Sequence, residues 1–150
     1  MGLTRWIVSE LKGPESQPLV VAADGRSIVT SYLNLDDENQ QWCVLGNLYA
    51  GGFQGLFYSP AYEGYLSAPE DDGPVVLANT IDESSMWTAG KSGNDWALRP
   101  YRNDDINLNI AGEATQAGTQ ILAYHWGGGQ PNEVWDTMAY QAVARIAGSS

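Results

Sequence analysis

Short apolar runs alternate with polar turn signals along this 150-residue chain, at intervals of about eight to twelve residues. This spacing is typical of an all-β protein, and helical periodicity is weak throughout. Strong turn signals separate the runs, among them Asp24-Gly25, Glu63-Gly64 and the three glycines at 127–129. Residues 139–147 fit either a short helix or a final strand. About twelve strands are predicted, at residues 6–8, 19–22, 27–30, 41–45, 55–59, 65–68, 75–78, 86–89, 95–101, 106–110, 120–124 and 134–138.

Three tryptophans, Trp42, Trp87 and Trp135, recur at nearly equal spacings of 45 residues (87 − 42) and 48 residues (135 − 87). A period of this size indicates repeated supersecondary units that bury a core only together. Four of the predicted strands fall in each period. No segment looks like a linker, so the sequence predicts a single domain over residues 1–150. Its repeats are expected at approximately 1–48, 49–93 and 94–150.

Three four-stranded units, each with a tryptophan at its fourth strand, fit a β-trefoil. Closing the strands into a six-stranded barrel capped by three hairpins removes most exposed sheet edges. Core layers of such a barrel take one large apolar residue from each repeat. We therefore expect the three tryptophans to pack in the core, and we predict an all-β fold of three pseudo-symmetric four-stranded repeats.

Composition and charge narrow the function classes. The chain is 43% hydrophobic and 17% charged, which is typical of a globular protein. Its net charge of −11 repels polyanions, so no nucleic-acid partner is predicted and acidic membrane surfaces are disfavoured. A neutral or cationic ligand is favoured. No apolar run approaches transmembrane length, so no membrane insertion is expected.

The single cysteine, Cys43, cannot form an intrachain disulfide and is expected to be a small core residue. No signal peptide is visible, because the first residues contain no long apolar run. This pattern indicates cytoplasmic synthesis, unless a leader has been removed or release follows a non-classical route.

The phrases before two of the tryptophans, Asn39-Gln40-Gln41-Trp42 and Asn132-Glu133-Val134-Trp135, resemble the repeated Gln-any-Trp signature of ricin B-type (R-type) lectins. A closer likeness is to the Euonymus-type lectin domain. It rests on Asp82-Glu83-Ser84-Ser85-Met86-Trp87-Thr88, and on Leu108-Asn109-Ile110 followed by Tyr124-His125-Trp126. The resemblance implies a β-trefoil that binds glycans or glycoproteins without catalysis and without a cofactor. A galactose-type sugar is the ligand usual in the family.

The third repeat carries the best candidate sugar site. A sugar pocket needs an aromatic face for the ring and fixed polar groups for its hydroxyls, because a buried hydroxyl left unpaired costs about 1–3 kcal/mol. By the resemblance, Tyr124 is the stacking aromatic and Asn109 the amide on the second strand. Glu133 stands where the family has Gln, and a carboxylate accepts hydrogen bonds but does not donate them. The predicted set is Asn109, Tyr124, His125, Trp126, Asn132 and Glu133.

The first repeat carries a second, partial candidate. Asn39 and Gln40 keep the motif, and Tyr32 can align with Tyr124. Val21, however, occupies the position that matches Asn109. Asp24, from the hairpin turn, is the substitute in this predicted site. The second repeat is expected to be structural only, since serines replace its amide pair and no aromatic residue is available there.

Other functions stay open as alternatives. The acidic clusters could ligate calcium, but they lack the alternating spacing of an EF-hand and are expected to be solvated, so no metal site is predicted. A glycosidase would use paired carboxylates, and no motif marks such a pair. A protein-binding trefoil such as a protease inhibitor is the main alternative to a lectin. The acidic clusters discussed as calcium ligands are residues 36–38, 70–72 and 104–105.

A single sugar site binds weakly, so homodimerisation is one expected route to avidity.

Overall fold

The computed structural model describes residues 3–49, 52–92 and 95–148, and nearly all of its regular structure is β. Among these residues there are thirteen strands, because the third strand of the second repeat is divided in two at Val75. The strands are β1 Leu3–Lys12, β2 Pro18–Asp24, β3 Ser27–Tyr32, β4 Trp42–Tyr49, β5 Gly52–Ser59, β6 Gly64–Ser67, β7 Gly73–Pro74, β8 Val76–Ala78, β9 Trp87–Ser92, β10 Asp95–Pro100, β11 Ile106–Ile110, β12 Ile121–His125 and β13 Trp135–Met138.

Six strands close into a barrel. The antiparallel order β13-β10-β9-β5-β4-β1 returns on itself because β1 also pairs with β13. Six of the remaining strands form the hairpins β2–β3, β6–β8 and β11–β12, and the two-residue strand β7 pairs with β12. The predicted β-trefoil is therefore confirmed. The first predicted repeat boundary lies within one residue of the end of β4 at Tyr49, and the second, between residues 93 and 94, lies outside the described residues.

The three tryptophans are fully buried, each at 0% exposure. Each indole Nε1 donates a hydrogen bond to a backbone carbonyl of the second strand of its own repeat, which joins the barrel to the hairpin. A buried indole N–H needs such an acceptor. The core positions predicted for these residues are confirmed. The three bonds are Trp42 to Val21 at 3.1 Å, Trp87 to Leu66 at 2.9 Å and Trp135 to Leu108 at 2.9 Å.

The segment left open between helix and strand is the helix α1, Tyr140–Ala147. Its buried residue Val143 packs with Trp6, Val8 and Val20 in a small cluster outside the barrel. The expectation for Cys43 was wrong. Side chains alternate along β4, so Cys43, which follows the inward-facing Trp42, is only partly buried.

Short 3-10 turns precede the three tryptophans at the same distance in every repeat. They span Glu38–Gln40, Glu83–Ser85 and Pro131–Glu133, and each ends two residues before its tryptophan. Their equal placement relates Asn39 to Ser84 and Asn132, and Gln40 to Ser85 and Glu133.

Among the described residues, no helix is both long and apolar enough to cross a bilayer.

Candidate functional site

An open cleft of about 420 Å3 lies in the third repeat, between the hairpin β11–β12 and the 3-10 turn Pro131–Glu133. Five of the six side chains predicted for this repeat line it, and Trp126 does not. Three other residues complete the wall, and the sequence analysis assigned a binding role to none of their side chains. The lining residues are Asn109, Glu113, Tyr124, His125, Gly127, Gln130, Asn132 and Glu133.

Two amide side chains at the base of the cleft hold each other in place. The Asn132 Nδ2 atom donates to Asn109 Oδ1 and to the carbonyl oxygen of Ile110, both at 3.2 Å. Each asparagine is only 7% exposed. Within the part of the chain that the structure describes, Asn109 Nδ2 and Asn132 Oδ1 have no hydrogen-bond partner. The cleft therefore offers one fixed donor beside one fixed acceptor, which is what two neighbouring hydroxyls require.

Tyr124 stands at the rim of the cleft with 41% of its surface exposed. Its ring lies close to that of His125, with centroids 4.1 Å apart and an angle of 32° between the planes. In the β11–β12 ladder Tyr124 pairs with Asn107, two residues along the strands from the pair formed by Asn109 and Leu122. An exposed aromatic face is thus set beside the amide pair.

The second repeat contributes Asp72 to this site. Its Oδ2 lies 2.9 Å from His125 Nδ1, and the two side chains are 42% and 61% exposed. The contact arises because β7 pairs with β12, placing Gly73 opposite Ala123. At the sequence level Asp72-Gly73-Pro74 indicates only a turn, and nothing in the spacing points to the third repeat.

Trp126 turns away from the cleft. Its ring lies beneath the guanidinium of Arg99, 4.9 Å from Cζ to the ring centroid, and its backbone N–H donates to the carbonyl of Asp105. Of the two predicted residues that follow Tyr124, only His125 therefore lines the cleft. Trp126 lies just past the end of β12 at His125, so the pleat of the strand no longer sets the direction of its side chain.

Glu133 is 1% exposed, and its carboxylate is surrounded by backbone N–H groups. Gly127 donates to both oxygens at 2.9 and 3.1 Å, and Gly129 and Gln130 donate to Oε2 at 2.7 and 3.0 Å. Gly128 and Gly129 both have a φ of 94°, a conformation that favours glycine. In this structure Glu133 holds the loop that forms one wall of the cleft.

Gln40, the counterpart of Glu133 in the first repeat, is bonded in a similar way. It is 0% exposed, and its Oε1 accepts from the backbone of Asn34 at 2.9 Å. Its Nε2 donates to Ser31 Oγ at 2.9 Å and to the carbonyl of Tyr32 at 2.8 Å. Residues at this motif position thus fix the preceding loop, and their chemistry matches the backbone groups they meet.

The first-repeat candidate is less well assembled. Because Trp42 bonds to Val21 as Trp135 bonds to Leu108, the counterpart of Asn109 is Ala22, which corrects the alignment with Val21. The alignment of Tyr32 also shifts by one residue.

In the ladders Ala22 pairs with Val29 as Asn109 pairs with Leu122, so Tyr32 corresponds to His125, and Ser31 corresponds to Tyr124. The Tyr32 hydroxyl donates to Gln116 Oε1 at 3.1 Å. Asp24 is exposed at the end of β2 and Asn39 is partly buried.

Small side chains occupy the corresponding positions of the second repeat. Ser67, Ala78 and Ser84 stand where the third repeat has Asn109, Tyr124 and Asn132. This repeat offers neither the amide pair nor the exposed aromatic ring.

Asp82 caps the 3-10 turn of the second repeat. Hydrogen bonds from the Ser84 hydroxyl and backbone N–H hold the pKa of the Asp82 carboxyl below its usual range, with a smaller contribution from the charge of Arg102.

Among the described residues, no three carboxylate, imidazole or thiol side chains converge as metal ligands would.

No protein-family model and no curated protein sequence matches this chain. Solved structures do. The designed 3-fold symmetric protein ThreeFoil has a TM-score of 0.72 at 17% identity, over 90% of this chain and 97% of that one. The ricin B-like lectin of Macrolepiota procera, solved with lactose, has 0.67 at 21%, over 92% and 96%. The Rhizoctonia solani agglutinin has 0.72 at 14%, over 93% and 96%.

At such identities the likeness shows the fold alone, and it agrees with the β-trefoil described above. The similar structures are mostly carbohydrate-binding lectins of the R-type fold. Two similar structures are larger proteins of another kind. This chain spans 30% of an exo-beta-1,3-galactanase from Clostridium thermocellum and 16% of a mosquitocidal holotoxin.

Proposed function

We propose that this protein is a non-catalytic, glycan-binding lectin whose main site is the cleft of the third repeat. One observation carries the proposal: the amide pair of Asn109 and Asn132 presents a donor and an acceptor that no described residue engages, beside the exposed ring of Tyr124. A sugar ring has the matching surfaces, since its C–H face packs on an aromatic ring while its hydroxyls both donate and accept.

Charge supports a neutral or cationic ligand. Glu113 and Glu133 line the cleft, Asp72 lies beside His125, and the whole chain has a net charge of −11. Negative charges in and around a cleft repel an anionic ligand. We therefore propose a neutral sugar rather than a sialylated or sulfated one, and the resemblance to R-type lectins implies a galactose-type sugar.

The relatives in fold supply the sugars to try first. Lactose is bound in the Macrolepiota procera lectin structure, and GalNAc in that of an earthworm R-type lectin. One cleft makes few contacts with a monosaccharide, so useful avidity requires a homodimer, a second site or clustered glycans. The likeness to the Euonymus-type lectin domain stays part of this proposal.

A glycan array that includes lactose and GalNAc tests the proposal, followed by titration of the strongest ligand. Tyr124→Ala is expected to weaken its binding about tenfold or more, because the stacking face is lost. Tyr101→Ala is the matched control, since this tyrosine is 58% exposed and does not line the cleft. Binding that survives Tyr124→Ala at full strength would remove this cleft from consideration.

A comparison of related asparagines separates the two candidate sites. Asn109→Ala removes the free donor from the third repeat, and Asn39→Ala changes the counterpart of Asn132 in the first repeat. We expect the first change to weaken binding and the second to leave it unaltered. A loss in Asn39→Ala alone would move the site to the first repeat. Chromogenic glycosides are expected to remain intact with the wild type, and their hydrolysis would contradict the non-catalytic assignment.

A further inference from the structure

A second pocket, of about 230 Å3, lies at the end of the barrel and has a different chemistry from the cleft. All six barrel strands contribute to its wall. Its walls are mainly apolar and aromatic, and a few polar residues interrupt them. The apolar wall includes Phe53, Phe57, Trp96 and Leu98, and the polar residues include Arg5 and Asp136. We call this space the barrel-end pocket.

The barrel-end pocket opens away from the three hairpins. The strand β4 runs from Trp42, whose indole bonds to the hairpin β2–β3, towards its far end at Tyr49. The pocket contacts β4 at Val44 and Gly46, beyond the tryptophan layer. The third-repeat cleft is built on the hairpin β11–β12, so the two spaces lie at opposite ends of the molecule.

Three small side chains at related positions account for the pocket. Val44, Ala89 and Thr137 each follow an anchoring tryptophan by two residues, and all three line the space. A barrel layer filled by large residues would close here. The space exceeds the roughly 150 Å3 apolar cavity that suffices to bind benzene, so it can accommodate an aromatic ring with a substituent.

Arg5 supplies the polar end of the pocket. It is partly buried, and within the described residues no hydrogen bond or ion pair engages its guanidinium. Asp136 lines the same pocket but already takes part in an interaction of its own. A guanidinium prefers a planar, bidentate anion such as a carboxylate, and the aromatic walls prefer a flat apolar body.

From this combination we infer that the barrel-end pocket is a binding site for a small aromatic carboxylate. The ring packs among Phe53, Phe57, Trp96 and Leu98, and the carboxylate pairs with Arg5. An apolar pocket with a few convergent polar groups is the usual architecture of a small-molecule site. The site is independent of the glycan cleft and does not rest on the proposed lectin function.

The test uses two probes of the same shape, 1-naphthoate and its neutral amide, titrated by calorimetry and by quenching of tryptophan fluorescence. We expect 1-naphthoate to bind more tightly than 1-naphthamide. Arg5→Gln should weaken 1-naphthoate about tenfold or more and leave 1-naphthamide unchanged, because only the anion uses the charge. Arg145→Gln, on an exposed position of α1, is the control and should change neither.

Two filling variants locate the probe. Ala89→Leu and Thr137→Leu each place extra atoms in the barrel-end pocket and should abolish binding of both probes. Urea unfolding shows which variant keeps the fold. Amide chemical-shift mapping of the wild type locates the bound probe without any substitution. Saturation of the cleft with lactose should leave 1-naphthoate binding unchanged.

Three results would overturn the inference. They are no binding of 1-naphthoate at millimolar concentration, equal binding of acid and amide that Arg5→Gln does not alter, and binding that persists in a folded filling variant.

Discussion

The carboxylate of Glu133 provides the sharpest test of how this trefoil uses its repeated motif. The substitution Glu133→Gln places here the glutamine of the Gln-any-Trp signature that the sequence resembles, and it hardly changes side-chain size. If the motif residue served the sugar directly, the change would be neutral for folding. The structure argues for destabilisation, because three backbone N–H groups converge on the carboxylate and only acceptors satisfy them.

The magnitude follows from those bonds. A hydrogen bond to a charged group contributes about 1.5–3 kcal/mol net, and a neutral one about 0.5–1.5 kcal/mol. Making three bonds neutral therefore removes about 3 kcal/mol. The amide NH2 of the new side chain also meets an N–H of Gly127, which adds to the loss. Urea unfolding followed by tryptophan fluorescence should show the midpoint lowered by roughly 1–2 M.

The reverse substitution in the first repeat, Gln40→Glu, is the matched comparison. The Nε2 of Gln40 donates to the carbonyl of Tyr32, so a carboxylate at this buried site would face an acceptor and lose a donor. We expect a comparable destabilisation, although the change runs in the opposite chemical direction. If both single variants unfold at the same urea concentration as the wild type, the role assigned here to this motif position is wrong.

Two further predictions concern the barrel and a cap. Gly46→Ala should strongly destabilise the protein, because its Cβ would clash with the backbone oxygen of Gln54. Gly90→Ala, whose Cβ would meet nothing among the described residues closer than 3.6 Å, should unfold near the wild-type urea midpoint. Equal midpoints for the two variants would contradict this packing. The Asp82 carboxyl has a lowered pKa in the folded state, so its stabilising contribution is present above the unfolded pKa and is lost as the pH falls through the folded pKa. Ser84→Ala should bring the pKa of Asp82 back towards its ordinary value in an NMR titration, and an unchanged pKa would exclude Ser84 as the cause.

Spacing along the chain was sufficient to predict the fold. The recurrence of Trp42, Trp87 and Trp135 predicted three repeats, and the tryptophans indeed form one buried set with matching hydrogen bonds. The turn residues Asp24-Gly25 located the hairpin β2–β3. These features depend on local alternation and on a repeated period, and both are written directly in the order of the residues.

The candidate site was only partly predictable, because contacts between repeats leave no mark in local alternation or in a repeated period. Asn109, Tyr124 and Asn132 were predicted together from the resemblance to ricin B-type lectins, and all three line the cleft. The contact of Asp72 with His125 crosses from one repeat to another and has no signature in the spacing.

What the sequence determined by itself is therefore the repeated architecture, because each repeat encodes the same alternation and the same large core residue. The tertiary structure decided what each polar group does. Glu133 is held by the N–H groups of its own loop, Trp126 packs against Arg99, and no partner among the described residues engages the Arg5 guanidinium beside the barrel-end pocket. Hydrogen-bond partners and empty volume depend on how loops and strands distant in sequence meet, so they are settled only once the barrel has closed.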